Sequence, residues 1–201
     1  MIMDKQQLRK RMLEIRKNLT REQCAAASQK VCHQLLLWDK YISAKRILAY
    51  YPCRNELDIR PLLADAFAQG KTVAFPKVTG PGQMVFITVS GFEELKPGAM
   101  NIPEPIMSET ASIDIDDIPT LMLVPGVAFC SVQKNAETAL TYGRMGYGGG
   151  YYDRYLRQCR DRGPEAASLI TCGIAYDFQI VSPGSLPLED HDMQLDHLIW
   201  G

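Results

Sequence analysis

Arg46-Ile47-Leu48-Ala49-Tyr50-Tyr51 is a short apolar run, and a second one, Thr72-Val73-Ala74-Phe75-Pro76, follows one helical span later. Between them Ile59 to Gln69 carries helix-type periodicity and stops at Gly70, a residue suited to the left-handed backbone that closes a helix. Strand, helix, strand in this order is a βαβ unit, and its crossover makes the two strands parallel. Parallel strands are covered on both faces, so they read as unbroken apolar runs. The fold is thereby confined to an α/β sheet whose ligands bind beyond the carboxyl ends of the strands. Pro52-Cys53-Arg54-Asn55-Glu56-Leu57-Asp58 leaves the first of those ends. Glu56 and Asp58 therefore stand where a ligand would be met, although Glu56 reads equally well as a solvated loop carboxylate or a helix N-terminal charge.

Met84-Val85-Phe86-Ile87-Thr88, Thr120-Leu121-Met122-Leu123-Val124 and Ser168 to Ile174 read as further strands, and Met193 to Trp200 as a short last one. Residues 90–119, rich in Gly, Pro, Glu and Asp, are expected to be loops and short turns, and residues 130–143 a polar stretch. Ahead of the sheet, Asp4 caps a first helix reaching about Asn18. Thr20 with Gln23 is a capping box opening a second helix, Arg21 to about Leu37, before a connection through Trp38 and Tyr41. The first helix has an apolar stripe, Leu8, Met12 and Ile15, and a basic face of Lys5, Arg9, Lys10, Arg11, Arg16 and Lys17. The simplest reading of that face is a solvated one. Lys5 and Arg9, at i and i+4, share one side of it and point to a sharper reading, a pair reaching for phosphates held elsewhere.

The chemistry concentrates in Arg144-Met145-Gly146-Tyr147-Gly148-Gly149-Gly150-Tyr151-Tyr152-Asp153-Arg154, where four glycines fall within five positions. Helical spacing of Tyr151, Tyr155, Leu156 and Cys159 follows at once, and the helix stops near Gly163-Pro164. A glycine turn running into a helix start offers bare N–H groups and a positive dipole end, which together favour an anion. Tyr151 stands where a G-x-G-x-x-G loop would need glycine, and no lysine follows for a G-x-x-x-x-G-K-[ST] loop. The surroundings must carry the reading. Arg144 adds a fixed positive charge, Asp153 is a hard oxygen ligand suited to Mg²⁺, and Tyr151 and Tyr152 are suited to covering a flat ring. The plainer alternative is a tight turn with a helix cap and two core tyrosines.

Composition removes several classes. A net charge of −1 argues against a general nucleic-acid or membrane-surface binder. No apolar run approaches the ~20 residues of a membrane span, and the N-terminus is a charged amphipathic helix rather than a signal peptide. The six cysteines, Cys24, Cys32, Cys53, Cys130, Cys159 and Cys172, form no C-x-x-C pair and read as reduced thiols of a cytoplasmic protein. With three histidines, His33, His191 and His197, a histidine-rich metal cluster is not expected.

Several motifs then converge: Lys5-x-x-Leu8-Arg9, Asn55-Glu56-Leu57-Asp58, Val124-Pro125-Gly126-Val127-Ala128-Phe129, the glycine–Tyr-Tyr-Asp block, and His191-Asp192-Met193-Gln194-Leu195-Asp196. In this order and spacing they resemble the 5-formyltetrahydrofolate cyclo-ligase (5,10-methenyltetrahydrofolate synthetase) family, over essentially the whole chain. The resemblance implies one domain over residues 1–201. Its fold would be a three-layer α/β/α domain with a mostly parallel, Rossmann-like sheet (NagB/RpiA/CoA transferase-like). It implies that ATP and Mg²⁺ drive ring closure of 5-formyltetrahydrofolate to 5,10-methenyltetrahydrofolate, with release of ADP and phosphate through a phosphorylated formyl oxygen. It further implies a monomeric, cytoplasmic enzyme with a small-molecule substrate and neither nucleic-acid nor membrane partners.

Carried over residue by residue, the resemblance assigns nucleotide contacts to Lys5, Gln6, Gln7, Leu8 and Arg9 and to Arg144 through Tyr152, that is Arg144, Met145, Gly146, Tyr147, Gly148, Gly149, Gly150, Tyr151 and Tyr152. It assigns folate contacts to Tyr51 and Glu56 and to Tyr147, Gly148, Gly149, Gly150 and Tyr151. Asp153 and Asp192 resemble the metal ligands, and Arg144 and Glu56 the residues closest to the chemistry. The chain departs from the pattern in three places. Cys130 to Tyr142 reads as an insertion, Gly149 stands where some members carry lysine, and Met100 where some carry an aromatic residue. Two other classes compete: a folate-binding or storage protein, which needs no triphosphate site, and a sugar-phosphate isomerase-like enzyme, which would use the glycine turn for one phosphate without a nucleotide.

Overall fold

The computed structural model describes residues 4–106, 112–132 and 140–201. The chain begins with α1 (Lys5–Lys17), α2 (Arg21–Leu36) and a short α3 (Asp39–Ser43). The βαβ unit follows as β1 (Arg46–Leu48), α4 (Arg60–Ala68) and β2 (Thr72–Gly80). Then come β3 (Gln83–Val89), β4 (Leu95–Pro97), β5 (Pro103–Pro105), β6 (Thr120–Pro125), β7 (Ala128–Val132) and β8 (Thr141–Met145). The chain closes with α5 (Tyr151–Asp161), β9 (Leu169–Ala175) and β10 (His197–Trp200).

Six strands form the central sheet in the order β10-β9-β6-β1-β2-β3. All neighbours are parallel except β2 and β3, which form an antiparallel hairpin. From β1 the chain moves to β2 on one side, and later to β6 on the other, so the topological switch point lies between β1 and β6.

Successive residues of β1 and β6 serve opposite faces of the sheet. Ile47, Leu121 and Leu123 pack with Val31 and Leu35 of α2 and Leu62, Leu63 and Ala66 of α4. Leu48, Met122 and Val124 pack with Tyr155, Leu156 and Cys159 of α5. The result is α/β/α layering, as expected. Helix α1 stands outside these layers: Leu8 and Met12 pack on Val127, Ala128, Cys130 and Met145 of the β7–β8 hairpin.

Helix starts and ends agree with the capping signals. Asp4 and Thr20 both form full capping boxes, and Gly70 has φ 69° just past α4. Four expectations need correction. The connection after α2 contains the helical turn α3, too short to show a period. The first apolar run is a strand only to Leu48, and then leaves the ladder so that Tyr50 and Tyr51 reach the site. Residues 90–119 are not all loop, since β4 and β5 pair there in an antiparallel ribbon. The described ends of the 130–143 stretch are the paired arms of the β7–β8 hairpin, Cys130 with Gly143 and Val132 with Thr141. The rest of the apparent insertion, residues 133–139, lies outside the described residues.

Candidate active site

A cavity of about 700 Å³ opens beyond the carboxyl ends of β1 and β6, at the switch point. The glycine-rich loop forms one wall. It leaves β8 at Met145 and enters α5 through Gly150, whose left-handed φ of 65° ends on a helix start with no side-chain cap. The N–H groups of that first turn are therefore not occupied by a capping side chain. Gly148 takes φ 104°, a conformation that side chains avoid.

Both ends of the loop are tied together. The Arg144 guanidinium, 4% exposed, donates from Nη2 to Asp153 Oδ2 at 2.9 Å. Asp153 Oδ1 accepts the Met193 N–H at 3.3 Å. Arg144 also lies 5.5 Å from the Tyr152 ring centroid, while its buried Nε has no partner among the described residues. Burial is the main cause that pushes the Tyr152 phenol up, with the Glu56 charge adding to it.

Helix α1 supplies the second wall. With Leu8 and Met12 seated on the hairpin, Lys5 and Arg9 line the cavity. Arg9 Nε donates to the Gly146 carbonyl at 2.9 Å. Lys5 Nζ donates to Asp192 Oδ2 at 2.8 Å and Glu189 Oε1 at 3.0 Å. Burial works to lower the Lys5 pKa, but the hydrogen bonds and charges of Asp192 and Glu189 prevail and raise it. Asp192 is correspondingly lowered: burial pulls upward, and the Lys5 hydrogen bond and charge win.

The third wall follows β1. Tyr51 lies edge-on to Phe92 and tilted to Phe75, with Arg60 5.9 Å from its ring centroid. Glu56 accepts the Tyr147 hydroxyl at 3.0 Å on Oε1 and the Cys53 N–H at 3.1 Å on Oε2. Burial, then the Glu56 charge, push the Cys53 thiol up to about 12. Pro76, Val78, Met84 and Ile102 add apolar lining, with the Glu104 carboxylate among them bound to Lys77 at 3.1 Å. Met100, exposed and left-handed at φ 55°, lines the cavity too.

The family model of the 5-formyltetrahydrofolate cyclo-ligases matches residues 1–201. The chain belongs to the 5-formyltetrahydrofolate cyclo-ligase family. The cyclo-ligase of Haemophilus influenzae is 28% identical over 200 residues, 98% of this chain and 97% of that one. The mitochondrial cyclo-ligase of Arabidopsis thaliana is 28% identical over 173 residues, which cover 78% of this chain and 59% of the longer relative. The solution structure of the Aquifex aeolicus 5,10-methenyltetrahydrofolate synthetase aligns with TM-score 0.76 at 30% identity, covering 98% of this chain and 89% of that one.

Of the residues that the cyclo-ligase resemblance singled out, Lys5, Arg9, Tyr51, Glu56, Arg144, Asp153, Asp192 and all of 146–152 line this one cavity. Gln6, Gln7, Leu8 and Met145 do not. Gln7 is spent on the α1 cap, donating its N–H to Asp4 Oδ1 and accepting the Asp4 N–H on Oε1. Leu8 and Met145 are core residues under the helix.

Sequence reasoning missed Glu189, which lines the cavity and binds Lys5, and also a residue just behind the cavity. Arg16, taken there as part of the solvated basic face, is only 2% exposed and reaches Glu56 and Tyr147. Its spacing held the signal, since positions 8, 12 and 16 continue one inward stripe.

No group of three His, Cys, Asp or Glu side chains able to hold a metal exists among the described residues. Asp153 and Asp192 are nevertheless two hard carboxylates lining the same cavity, each balanced by a cation. Mg²⁺ is commonly held by one or two carboxylates, with waters and substrate phosphates filling the remaining positions. This donor set fits a magnesium that arrives with a triphosphate.

Proposed function

We propose that this chain closes 5-formyltetrahydrofolate to 5,10-methenyltetrahydrofolate with consumption of ATP, as a monomeric cytoplasmic enzyme whose single domain spans residues 1–201. The observation that carries the reading is a single cavity lined by two chemically different groups of residues. Lys5, Arg9 and Arg144 line it with the glycine loop, and Tyr51, Pro76, Val78, Met84 and Ile102 supply an apolar and aromatic lining, while Glu56 is bonded to Tyr147 of the loop. The first suits a triphosphate and the second a reduced pterin. The six free thiols suit a reducing compartment.

A formyl amide is a poor electrophile at carbon. Its oxygen attacks the γ-phosphorus of ATP, the bond to the ADP oxygen breaks, and the formyl oxygen becomes part of a leaving group. N10 then attacks the formyl carbon, loses its proton, and the carbon–oxygen bond breaks to release phosphate. Phosphoryl transfer of this kind needs positioning and charge neutralisation more than a side-chain nucleophile. Lys5, Arg9 and Arg144 hold the phosphates, and the N–H groups of the glycine loop orient them. Magnesium at Asp153 and Asp192 would neutralise charge on the transferring group. Tyr51 and Glu56 hold the folate so that its formyl oxygen faces the phosphates.

The test is formation of 5,10-methenyltetrahydrofolate, followed by absorbance, with ATP and magnesium present or withheld. Product that requires both supports the reading. Product formed without nucleotide, or folate binding without turnover under any condition, overturns it.

A further inference from the structure

We infer that Arg16 is a positioning residue that sets Glu56 against the glycine-rich loop, and so acts on folate binding through Glu56. The inference rests on the proposed role of Glu56. Arg16 projects from the inner stripe of α1 and meets three separate segments. Nη1 donates to the Gly126 carbonyl at 3.3 Å, in the turn between β6 and β7. The same nitrogen stands 3.8 Å from Glu56 Oε1, in the segment after β1. Nη2 donates to the Tyr147 hydroxyl in the glycine loop, and the guanidinium lies 5.3 Å from that ring's centroid. The Asn55 side-chain amide donates from Nδ2 to the Arg16 carbonyl at 3.2 Å, which also fastens the Glu56 segment to α1.

Every group facing Glu56 helps to define its geometry. Tyr147 and Cys53 donate to it, and Arg16 is the cation in ion-pair range. The Glu56 and Arg16 side chains are 7% and 3% exposed, so little water screens the pair. The arrangement is a chain: Arg16 donates to Tyr147, and Tyr147 donates to Glu56. Glu56 Oε2 accepts both the N–H and the thiol of Cys53, so Oε1, with the Tyr147 hydroxyl as its one donor, is the oxygen that keeps a lone pair for a ligand. A planar guanidinium spans these directions at once, whereas an ammonium is a point charge without the fork. Arg16 lines no part of the cavity itself, so its effect on a ligand must pass through Glu56 and Tyr147.

The test is a double-mutant cycle on the dissociation constant of 5-formyltetrahydrofolate, with Arg16→Lys, Glu56→Gln and the pair, each checked by thermal melting. Tyr147→Phe is added because it keeps the ring and removes only the bridging hydroxyl. Arg16→Lys and Glu56→Gln should each weaken folate binding by about tenfold, the scale of one hydrogen bond to a charged group. The double variant should be within about twofold of Glu56→Gln alone, and Tyr147→Phe should lose several-fold. Multiplying losses in the double variant would overturn the positioning role while leaving Glu56 a folate contact. A Glu56→Gln variant that binds normally would overturn both. A lowered melting temperature in Arg16→Lys with unchanged folate affinity would reduce Arg16 to a structural residue and overturn the inference.

Discussion

Arg144 and Asp153 face each other across the glycine-rich loop, Nη2 to Oδ2 at 2.9 Å, and close the arc between the end of β8 and the first turn of α5. One partner is buried and the other nearly so, with side chains 4% and 15% exposed. The ion pair thus fixes the span of the loop while leaving both residues on the cavity wall.

Removing one partner of such a pair leaves an uncompensated buried charge, a loss of roughly 3–5 kcal/mol for a fully buried case. Asp153→Ala should therefore cost stability toward the lower end of that range and abolish ring closure. Asp153→Asn keeps a hydrogen-bond acceptor for Arg144 and should retain more stability while still failing to turn over. Urea melts alongside the absorbance assay separate the two effects. An active Asp153→Ala enzyme would contradict the assignment.

Gly148 tests the loop itself. Its φ of 104° is strained for any side chain, yet a Cβ built there meets nothing nearer than the Arg9 guanidinium at 3.7 Å. Space is available and the backbone conformation is not. Gly148→Ala should cost about 1–2 kcal/mol locally, read as roughly a tenfold higher KM for ATP with little change in melting temperature. An unchanged KM would mean that the loop carries no phosphate contact there.

Far from the site, Arg46 and Asp116 make a pair that should appear in the acid unfolding profile. The Arg46 side chain is 8% exposed and donates to both Asp116 oxygens. The Arg46 hydrogen bond is the main cause holding the Asp116 carboxyl below its usual 3.8, against a smaller upward pull from burial. A lowered folded pKa means that the contribution is present above the unfolded value and is lost as pH falls through the folded one. Asp116→Asn should be less stable than the parent at neutral pH, with the gap closing as pH falls below the ordinary carboxylate value of 3.8. A gap independent of pH would show that packing, not charge, carries the difference.

The parts of the fold legible in the sequence are those with a local cause. The Asp4 and Thr20 caps, the α4 crossover and the glycine entry to α5 each follow from a few adjacent residues. Parts with a distant cause were not legible. β2 continues past Pro76 because, beyond its last pairing of Ala74 with Leu48, it has a neighbour on one side only, where a missing N–H is tolerated. β5 is Pro103-Glu104-Pro105, a strand whose prolines argue against it; Glu104 nevertheless pairs opposite Lys96 and binds Lys77 at 3.1 Å. At the site, the glycine loop and its flanking charges were visible because they are contiguous. Arg16 was not, because a charged residue on an inward stripe has meaning only once Glu56 and Tyr147 are seen beside it.

Helix α1 carries Lys5 and Arg9, which line the cavity, and Arg16 behind Glu56, but it belongs to neither helical layer, which makes its seat on the hairpin the most economical place to separate binding from chemistry. Leu8 is 4% exposed and packs with Val127, Ala128 and Met145. Leu8→Ala would remove its methyl groups from that seat, costing about 2–5 kcal/mol by the combined transfer and cavity terms. The contacts that hold α1 over the cavity are Lys5 with Asp192, Arg9 with the Gly146 carbonyl, and Arg16 with the Gly126 carbonyl. They persist only while the helix is docked. The expected result is a fall in global stability, together with a rise in KM for ATP at temperatures well below the melting midpoint. Arg144 and Asp153 are anchored to β8 and α5 instead, so kcat at saturating nucleotide should fall less than kcat/KM. Hydrogen exchange would show the amides of 5–17 exchanging faster than those of α5. Equal protection of both helices in Leu8→Ala would mean that α1 is held by its polar contacts and not by its apolar stripe.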